Sequence, residues 1–345
     1  RPSSGGSKAA YPCKSYGQGR INPAYFYGIF DPNDMRRDVS ITMTGSNGKG
    51  VEKLIPFVPN SKAEGGGLTL NKWDENRQAN PWVAAQRKSG INGPYMRMSE
   101  VYLGYAEVCA ALGDVVTGKQ YLKTVRERSF PQGLADTDGF IASFGNDLVR
   151  AIIEERGFEY AGEGDRRWTL IRSGYLPEDI KRIKDMTKAM MDGLATKGYY
   201  EFENGNIISA YIWTKLVDAK TIYGHRLTAQ CPMDKVNDPV LYPGWRGQKD
   251  NWEEMGLNYG NSAPATNLAI KGLFEIVSEE EAASLESQGY AKVNWGIDLV
   301  DYRDEYDKYL FWDYDYVSAP IYLWPFTPNV MAAGGFTNGY GFKQE

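Results

Sequence analysis

Tyr95-Met96-Arg97-Met98-Ser99-Glu100-Val101-Tyr102-Leu103-Gly104-Tyr105-Ala106-Glu107-Val108 is the stretch on which the architecture turns. Its apolar residues Met98, Val101, Tyr102, Tyr105, Ala106 and Val108, continued by Cys109 and Leu112, recur at the intervals of a helix. Gly113 can then take the left-handed conformation that closes a helix. A second helical run, from about Lys119 to Ser129, begins after only a few residues. Two helices joined by so short a link must pack antiparallel.

Such a pair resembles one degenerate tetratricopeptide unit rather than an array, and a single unit cannot bury its own apolar face. Downstream, Leu148, Ile152, Ile153, Arg156 and Tyr160 predict a third helix, dense in charge, from about Asn146 to Gly162. Leu176-Pro177-Glu178-Asp179 opens a fourth that runs to about Ala195, with Pro in the first turn and acids at the positive end of the dipole. Tyr199 to Trp213, broken at Asn204-Gly205, reads as a β-hairpin. Ser278 with Glu281 forms a capping box for a short helix closed by Gly289. From Arg1 to about Pro94 the chain is rich in Gly, Pro and Asn, with short strand-like runs at Val39 to Thr44 and Leu54 to Val58. Ala229 to Pro264 is punctuated in the same way and carries exposed-looking aromatics. The expected fold is mostly α, a helical scaffold with an irregular, loop-rich α/β overlay.

Composition removes several function classes. The 345 residues can bury about 75% of the surface the unfolded chain exposes, so no disulfide staple is needed. Thirty-nine basic against 44 acidic residues give a net charge of -5, no general excess to neutralise phosphates, and no nucleic-acid partner is expected. The single histidine, His225, excludes any site built from two imidazoles. Cys13, Cys109 and Cys231 lack CxxC spacing, and Cys109 reads as a small buried hydrophobe. No apolar run approaches the roughly 20 residues that span a bilayer. Arg1-Pro2-Ser3-Ser4-Gly5-Gly6 has no initiator Met and no apolar signal core, so the chain reads as processed or truncated. Thr44-Gly45-Ser46-Asn47-Gly48-Lys49-Gly50-Val51 looks like a phosphate loop, but Val51 stands where a Mg²⁺-binding hydroxyl belongs. Pro56 and Pro59 forbid the helix that must follow, and Asn47-Gly48 reads as a hairpin turn instead. No cofactor and no metal site are expected.

The Tyr95–Val108 stretch resembles the "yRyaEvyLlyAEA" helix of the SusD/RagB family, surface nutrient-binding lipoproteins of Bacteroidetes. Two further motifs follow in the family's order. Ile153-Glu154-Glu155-Arg156-Gly157-Phe158-Glu159-Tyr160, through Glu163-Gly164-Asp165-Arg166 to Leu170-Ile171-Arg172, is similar to "ER..EL..EG.R..DL.R". Tyr322-Leu323-Trp324-Pro325-Phe326-Thr327-Pro328-Asn329 and Thr337-Asn338-Gly339-Tyr340 are similar to the closing "yl.PiP..E" and "QN.GY". Asp31-Pro32-Asn33-Asp34-Met35-Arg36-Arg37 is like the family's "DpR" turn. Thr169 stands where the family usually has Asp, Ile171 where it often has Arg, and Val330 where it often has Glu. The resemblance divides the chain into a loop-rich region (1–94), a helical SusD-like core segment (95–173), an elaborated insertion (174–319) and a closing segment (320–345). It implies non-catalytic binding of an oligo- or polysaccharide at the outer surface of the outer membrane, as a lid over a SusC-like TonB-dependent transporter. The membrane would be reached through a lipid anchor absent from this chain. Family members carry leading helical repeats with no counterpart before Arg1, and a fold without them should expose one apolar helix face.

Arg97, Glu100, Glu107, Arg126, Glu155, Arg156, Glu159, Glu163 and Arg166 could be drawn as a catalytic cluster, but the spacing favours bracing. Glu155 and Glu159 lie i,i+4 on one helix face, where Arg from neighbouring helices can pair with both. A glycosidase needs two carboxylates about 5 to 9 Å apart with one pKa raised; Asp313 with Asp315 and Asp301 with Asp304 are acidic pairs without a sign of distinct acid and base. Asp301 to Asp307 lacks EF-hand spacing. Recognition then falls to aromatic rings, which stack on the apolar faces of sugars. The loop with Tyr242, Trp245, Arg246, Asn251 and Trp252 is the first choice for a glycan platform, and Trp73 and Trp82 form the second. Trp168, Trp213 and Trp324 are expected in the core. The alternatives are a peptide cargo, a glycoside hydrolase with paired carboxylates, and a purely structural helical scaffold.

Overall fold

The computed structural model describes residues 20–46, 52–55, 57, 67–70, 72, 93–218, 266–304, 322, 326–335 and 337. In chain order these form β1 (Arg20–Ile21), α1 (Pro23–Gly28), α2 (Arg36–Ser40), β2 (Ile41–Thr42), β3 (Thr44–Ser46), β4 (Glu52–Leu54) and β5 (Leu68–Leu70). A run of helices follows: α3 (Met98–Ala111), α4 (Val115–Glu127), α5 (Thr137–Ala142), α6 (Leu148–Glu159), α7 (Asp165–Ser173) and α8 (Leu176–Lys197). Then come β6 (Tyr199–Glu201), β7 (Ile207–Ser209), β8 (Tyr211–Asp218), β9 (Thr266–Lys271), α9 (Glu279–Ser287), β10 (Ala291–Asn294), α10 (Gly296–Asp301) and α11 (Pro328–Gly334).

Local chemistry explains the helix boundaries. Three aspartates cap successive helices: Asp114 accepts from Thr117 N at 3.1 Å, Asp136 from Gly139 N at 2.8 Å and Asp147 from Arg150 N at 3.0 Å. Helix α7 is bracketed by Gly164 and Gly174, both left-handed with φ of 87° and 80°. The second helix therefore starts at Val115 rather than near Lys119, and α5 is an element the periodicity does not predict. Ser278 accepts from Glu281 N at 3.2 Å, as the capping box requires. Val39 and Ser40 belong to α2, not to a strand, so the predicted Val39 to Thr44 strand is shortened to Ile41–Thr42 and a separate β3.

The sheets are small and antiparallel, with orders β1-β5-β2 and β10-β8-β9 and the pairs β3-β4 and β6-β7. Thr44 opposes Leu54 and Ser46 opposes Glu52, so the Gly-rich stretch leads into a returning strand and not into a phosphate-binding helix. In the β6–β7 hairpin, Asn204 and Asn206 each donate to Tyr27 O at 2.8 Å, which fastens the hairpin turn to the end of α1.

The core is organised around α6. One cluster packs Phe158 with Phe26, Tyr27 and Phe30 of the α1 region, Met190, Met191 and Leu194 of α8, and Trp295. Trp295 is fully buried and its Nε1 donates to the Tyr27 hydroxyl at 2.8 Å, which satisfies the polar tip. A second cluster joins Leu148, Ala151 and Ile152 of α6 to Leu103 and Ala106 of α3 and Leu122 and Val125 of α4. A third sets Ile153 against Leu170 and Leu176. Helix α6 is thus buried on all sides. Helix α3 is not: Met98, Val101, Tyr105 and Val108 are exposed, and Leu112 just beyond is 82% exposed, so one face of α3 is apolar and open.

Candidate functional site

The buried residues of α6 include Arg150, Glu154, Glu155, Arg156 and Glu159. A charge out of water is tolerated only when paired and hydrogen-bonded, and the neighbouring elements supply the partners. Glu155, at 0% exposure, accepts from Arg36 Nη1 at 2.6 Å and from Arg126 Nη1 at 3.0 Å. One turn on, Glu159 accepts from Arg97 at 2.6 Å, from Arg36 at 3.2 Å and from Arg128. Arg36 is itself held by Asp34 at 2.6 Å, and Arg97 reaches on to Glu163 at 2.8 Å, which also pairs with Lys72. Burial alone would raise the Glu159 carboxyl, but the charges and bonds of Arg36, Arg128 and Arg97 outweigh it and hold the group at about 2.

A second web lies on the other side of the helix. Glu154 binds Arg150, Arg166 and Arg182 at 2.9, 3.0 and 3.1 Å, and Asp179 joins Arg166 and Arg182 at 2.9 and 2.6 Å. Burial opposes the Asp179 charge, yet the Arg166 and Arg182 guanidiniums lower its carboxyl below the ordinary value. Arg156 meets Asp165 at 2.6 Å and the Thr169 hydroxyl at 3.2 Å, and that hydroxyl donates to Asp165 at 2.9 Å. Thr169, where the resemblance implies Asp, thus relays the contact while Asp165 supplies the charge. Glu107 takes both ends of the Arg172 guanidinium, with one bond of 2.7 Å. Aromatic faces cover several of these cations: Arg126 lies 3.9 Å from the centre of Phe140 and Arg150 4.0 Å from Tyr175.

All nine of the charged residues singled out from the sequence therefore take part in ion pairs or buried polar contacts, with Glu100 at the margin, 4.0 Å from Arg156. Sequence reading does not find Arg36, Arg128, Arg150 and Arg182 as partners. The signals are uneven: Arg150–Glu154 is an i,i+4 pair and Asp179–Arg182 an i,i+3 pair, whereas Arg36 meets Glu155 across 119 residues of chain.

Of the residues expected to bind ligand, Tyr242, Trp245, Arg246, Asn251, Trp252, Trp73 and Trp82 lie outside the described residues, as do Asp313, Asp315 and Trp324. Trp213 is buried as expected. Trp168 is not: it is 57% exposed, because Thr169 and Leu170 are the residues α7 turns inward and Trp168 falls on the outer side. Asp301 and Asp304 are exposed near the end of α10. Asp298 is raised by its burial, an effect reduced by the Asn294 amide at 3.3 Å and reinforced by the Asp301 charge. Among the described residues no cluster of His, Cys, Asp and Glu is arranged to hold a metal ion, and no helix is long and apolar enough to cross a membrane.

Comparison with known proteins adds an independent line. A relative described as a SusD-like protein, from Formosa agariphila, is 28% identical over 160 residues, covering 46% of this chain and 26% of the relative. The chain thus spans about a quarter of the length of the curated relative it matches. No solved structure matches. The profile of the SusD family, in contrast, matches residues 5–326, a span that includes the α3–α4 pair, the Arg36–Glu155–Arg126 brace and every described strand. A match that runs through nearly every described element makes this chain a member of the SusD family.

Proposed function

We propose that the protein to which this chain belongs binds a nutrient glycan at the cell surface and passes it, unaltered, to a SusC-like TonB-dependent transporter in the outer membrane. The observation that carries this reading is the α6 network. Glu154, Glu155 and Glu159 each hold two or more guanidiniums, so the central carboxylates are committed to bracing the scaffold. A general acid must exchange its proton near the working pH, and a carboxyl held at about 2 does not. Family membership supports nutrient binding in general.

The cargo platform in this reading is the loop with Tyr242, Trp245, Arg246, Asn251 and Trp252, aided by Trp73 and Trp82, with rings stacking on sugar faces and the Asn and Arg side chains fixing hydroxyls. It lies in an elaborated insertion (174–319) set on the helical segment (95–173) between the loop-rich start (1–94) and the closing segment (320–345). The membrane is reached through a lipid anchor. Calorimetric titration of the chain with oligosaccharide and peptide panels tests the reading. Wild type is expected to bind an oligosaccharide without releasing product, and Trp245→Ala and Trp252→Ala to weaken it. Binding of peptides alone, or cleavage of the sugar, would refute glycan capture; equal binding by both variants would move the platform elsewhere.

A further inference from the structure

The turn that follows α4 encloses a depression of about 520 Å³ floored by Met35, Phe130 and Pro131, with Arg128, Glu127 and Gln132 as its polar lining. That volume lies within the range of about 300–1,000 Å³ usual for small-molecule sites, and an apolar floor with a few placed polar groups is their usual composition. Met35 and Phe130 are buried.

Charge accounting in the neighbouring ion-pair web gives the depression a sign. The web joins four acids, Asp34, Glu155, Glu159 and Glu163, to five bases, Arg36, Lys72, Arg97, Arg126 and Arg128. Among the described residues it carries one positive charge more than it neutralises. Four of the bases have side chains no more than 26% exposed, whereas Arg128 is 53% exposed, so Arg128 is where a counter-anion from solvent can reach. Arg128 gives one bond, through Nη2, to Glu159, a carboxylate it shares with Arg36 and Arg97. Of its five N–H donors the remainder have no partner among the described residues. Glu127 also lines the depression and makes no ion pair with Arg128; its partner is Lys123 at 3.4 Å. The Gln132 amide makes no hydrogen bond with another described residue.

We propose that this depression is a subsite for the carboxylate of a uronate unit, so that the glycan bound by the protein is an acidic one. Glu159 pins one side of the Arg128 guanidinium and orients the rest of its plane toward the carboxylate, the planar geometry at which Arg surpasses Lys. The Gln132 amide meets ring hydroxyls, and half-buried Pro131 receives the apolar face of the sugar over the buried Met35 and Phe130. The inference rests on the glycan reading above and names the substrate class.

The test titrates the full chain by calorimetry with an oligogalacturonate and with the same oligomer after carboxyl reduction. Wild type, Arg128→Gln, Arg128→Lys and Gln132→Ala are compared, each checked for folding by circular dichroism. Wild type is expected to prefer the acidic oligomer by about tenfold, the worth of one charge-assisted hydrogen bond. Arg128→Gln abolishes that preference and Arg128→Lys restores it only in part. Gln132→Ala, which leaves the Glu159 contact intact, weakens acidic and reduced oligomers alike. In parallel, free galacturonate, and not galactose, shifts the Arg128 Nε–H resonance assigned by its loss in Arg128→Gln. Equal binding of acidic and reduced oligomers by wild type, or a preference that survives Arg128→Gln in a folded protein, overturns the subsite while leaving glycan capture in place. If no oligomer binds but galacturonate still shifts the Arg128 resonance, the carboxylate site stands and glycan capture falls. Silence in both measurements overturns both.

Discussion

Replacing Glu155 with Gln removes a buried charge at nearly constant volume, so its effect isolates electrostatics from packing. The carboxylate is 0% exposed and lies between Arg36 and Arg126, whose side chains are 11% and 4% exposed. Arg36 keeps Asp34 and Glu159. Among the described residues Arg126 keeps only aromatic faces, Phe140 at 3.9 Å and Phe130 at 4.6 Å, and its Nε has no partner there. Stripping one partner from a buried pair costs about 3–5 kcal/mol because the other charge is left uncompensated. Only one of the two cations is stranded, since Arg36 keeps two acids, which puts the expected loss near the lower bound, about 3 kcal/mol. A chain of this length loses about 2 °C in Tm per kcal/mol, so a fall of about 6 °C is expected. Thermal unfolding followed by far-ultraviolet circular dichroism measures it, with Glu107→Gln as the control. Glu107 and Arg172 are 20% and 46% exposed, and an exposed pair contributes at most about 1 kcal/mol. Adding Arg126→Met to Glu155→Gln should recover most of the loss, since the stranded cation is then gone. Equal losses for Glu155→Gln and Glu107→Gln, or no recovery in the double variant, would refute the claim that the network's cost is set by burial.

Two further outcomes follow from the same geometry. Glu159 has a folded carboxyl at about 2 against an ordinary value of 4.5, so the folded state binds fewer protons and the pairing stabilises fully above about pH 4.5. That contribution, on the order of 3 kcal/mol, is lost as pH falls from about 4.5 to 2, and Glu159→Gln should flatten this acid limb in urea titrations; a limb parallel to wild type would count against the assignment. At Gly296 an added Cβ would come within 2.7 Å of the Ser209 carbonyl oxygen and 2.6 Å of a Leu194 methyl. A backbone atom cannot swing aside, so Gly296→Ala should cost about 1–3 kcal/mol by overpacking, and an unchanged urea midpoint would show that α10 shifts freely.

What could be read from the sequence was what local chemistry controls. Helix α8 announces itself by Pro177 and its acids, and ends at Gly198. The start of α4 does not, because Val115, Val116 and Thr117 are β-branched and weaken a helical reading; the Asp114 cap decides it. Helix α7 is a nine-residue segment whose ends are set by two left-handed glycines, too short for a period to stand out. The same shortness misplaced Trp168, since one residue of rotation is about 100° and separates the buried Thr169 from the solvent side. Among the bracing residues, Glu155 and Glu159 were legible by their spacing. Their partners arrive from α2, α4 and the segment before α3, and no local rule brings Arg36 to a carboxylate 119 positions away.

A helix buried on all sides is ordinarily apolar on all sides, and α6 is not. Stability alone does not account for this, because exchanging a buried ion web for well-packed apolar residues is often neutral or favourable. What the web supplies is register. Glu155 requires α2 and α4, Glu159 adds the chain before α3, and Glu154 requires α7 and α8. A slip of α6 by one residue would turn each carboxylate by about 100° and strand several charges at once. The outer face of α3 works by the opposite logic. Met98, Val101, Tyr105 and Val108 present area without direction, so contact there can be strong yet tolerant of rotation, whereas the inner side is fixed by Ser99 through the Tyr160 hydroxyl at 3.2 Å. A scaffold that must keep elements distant in sequence in fixed relative positions needs the first kind of contact at its centre, where each carboxylate is shared among guanidiniums from different elements.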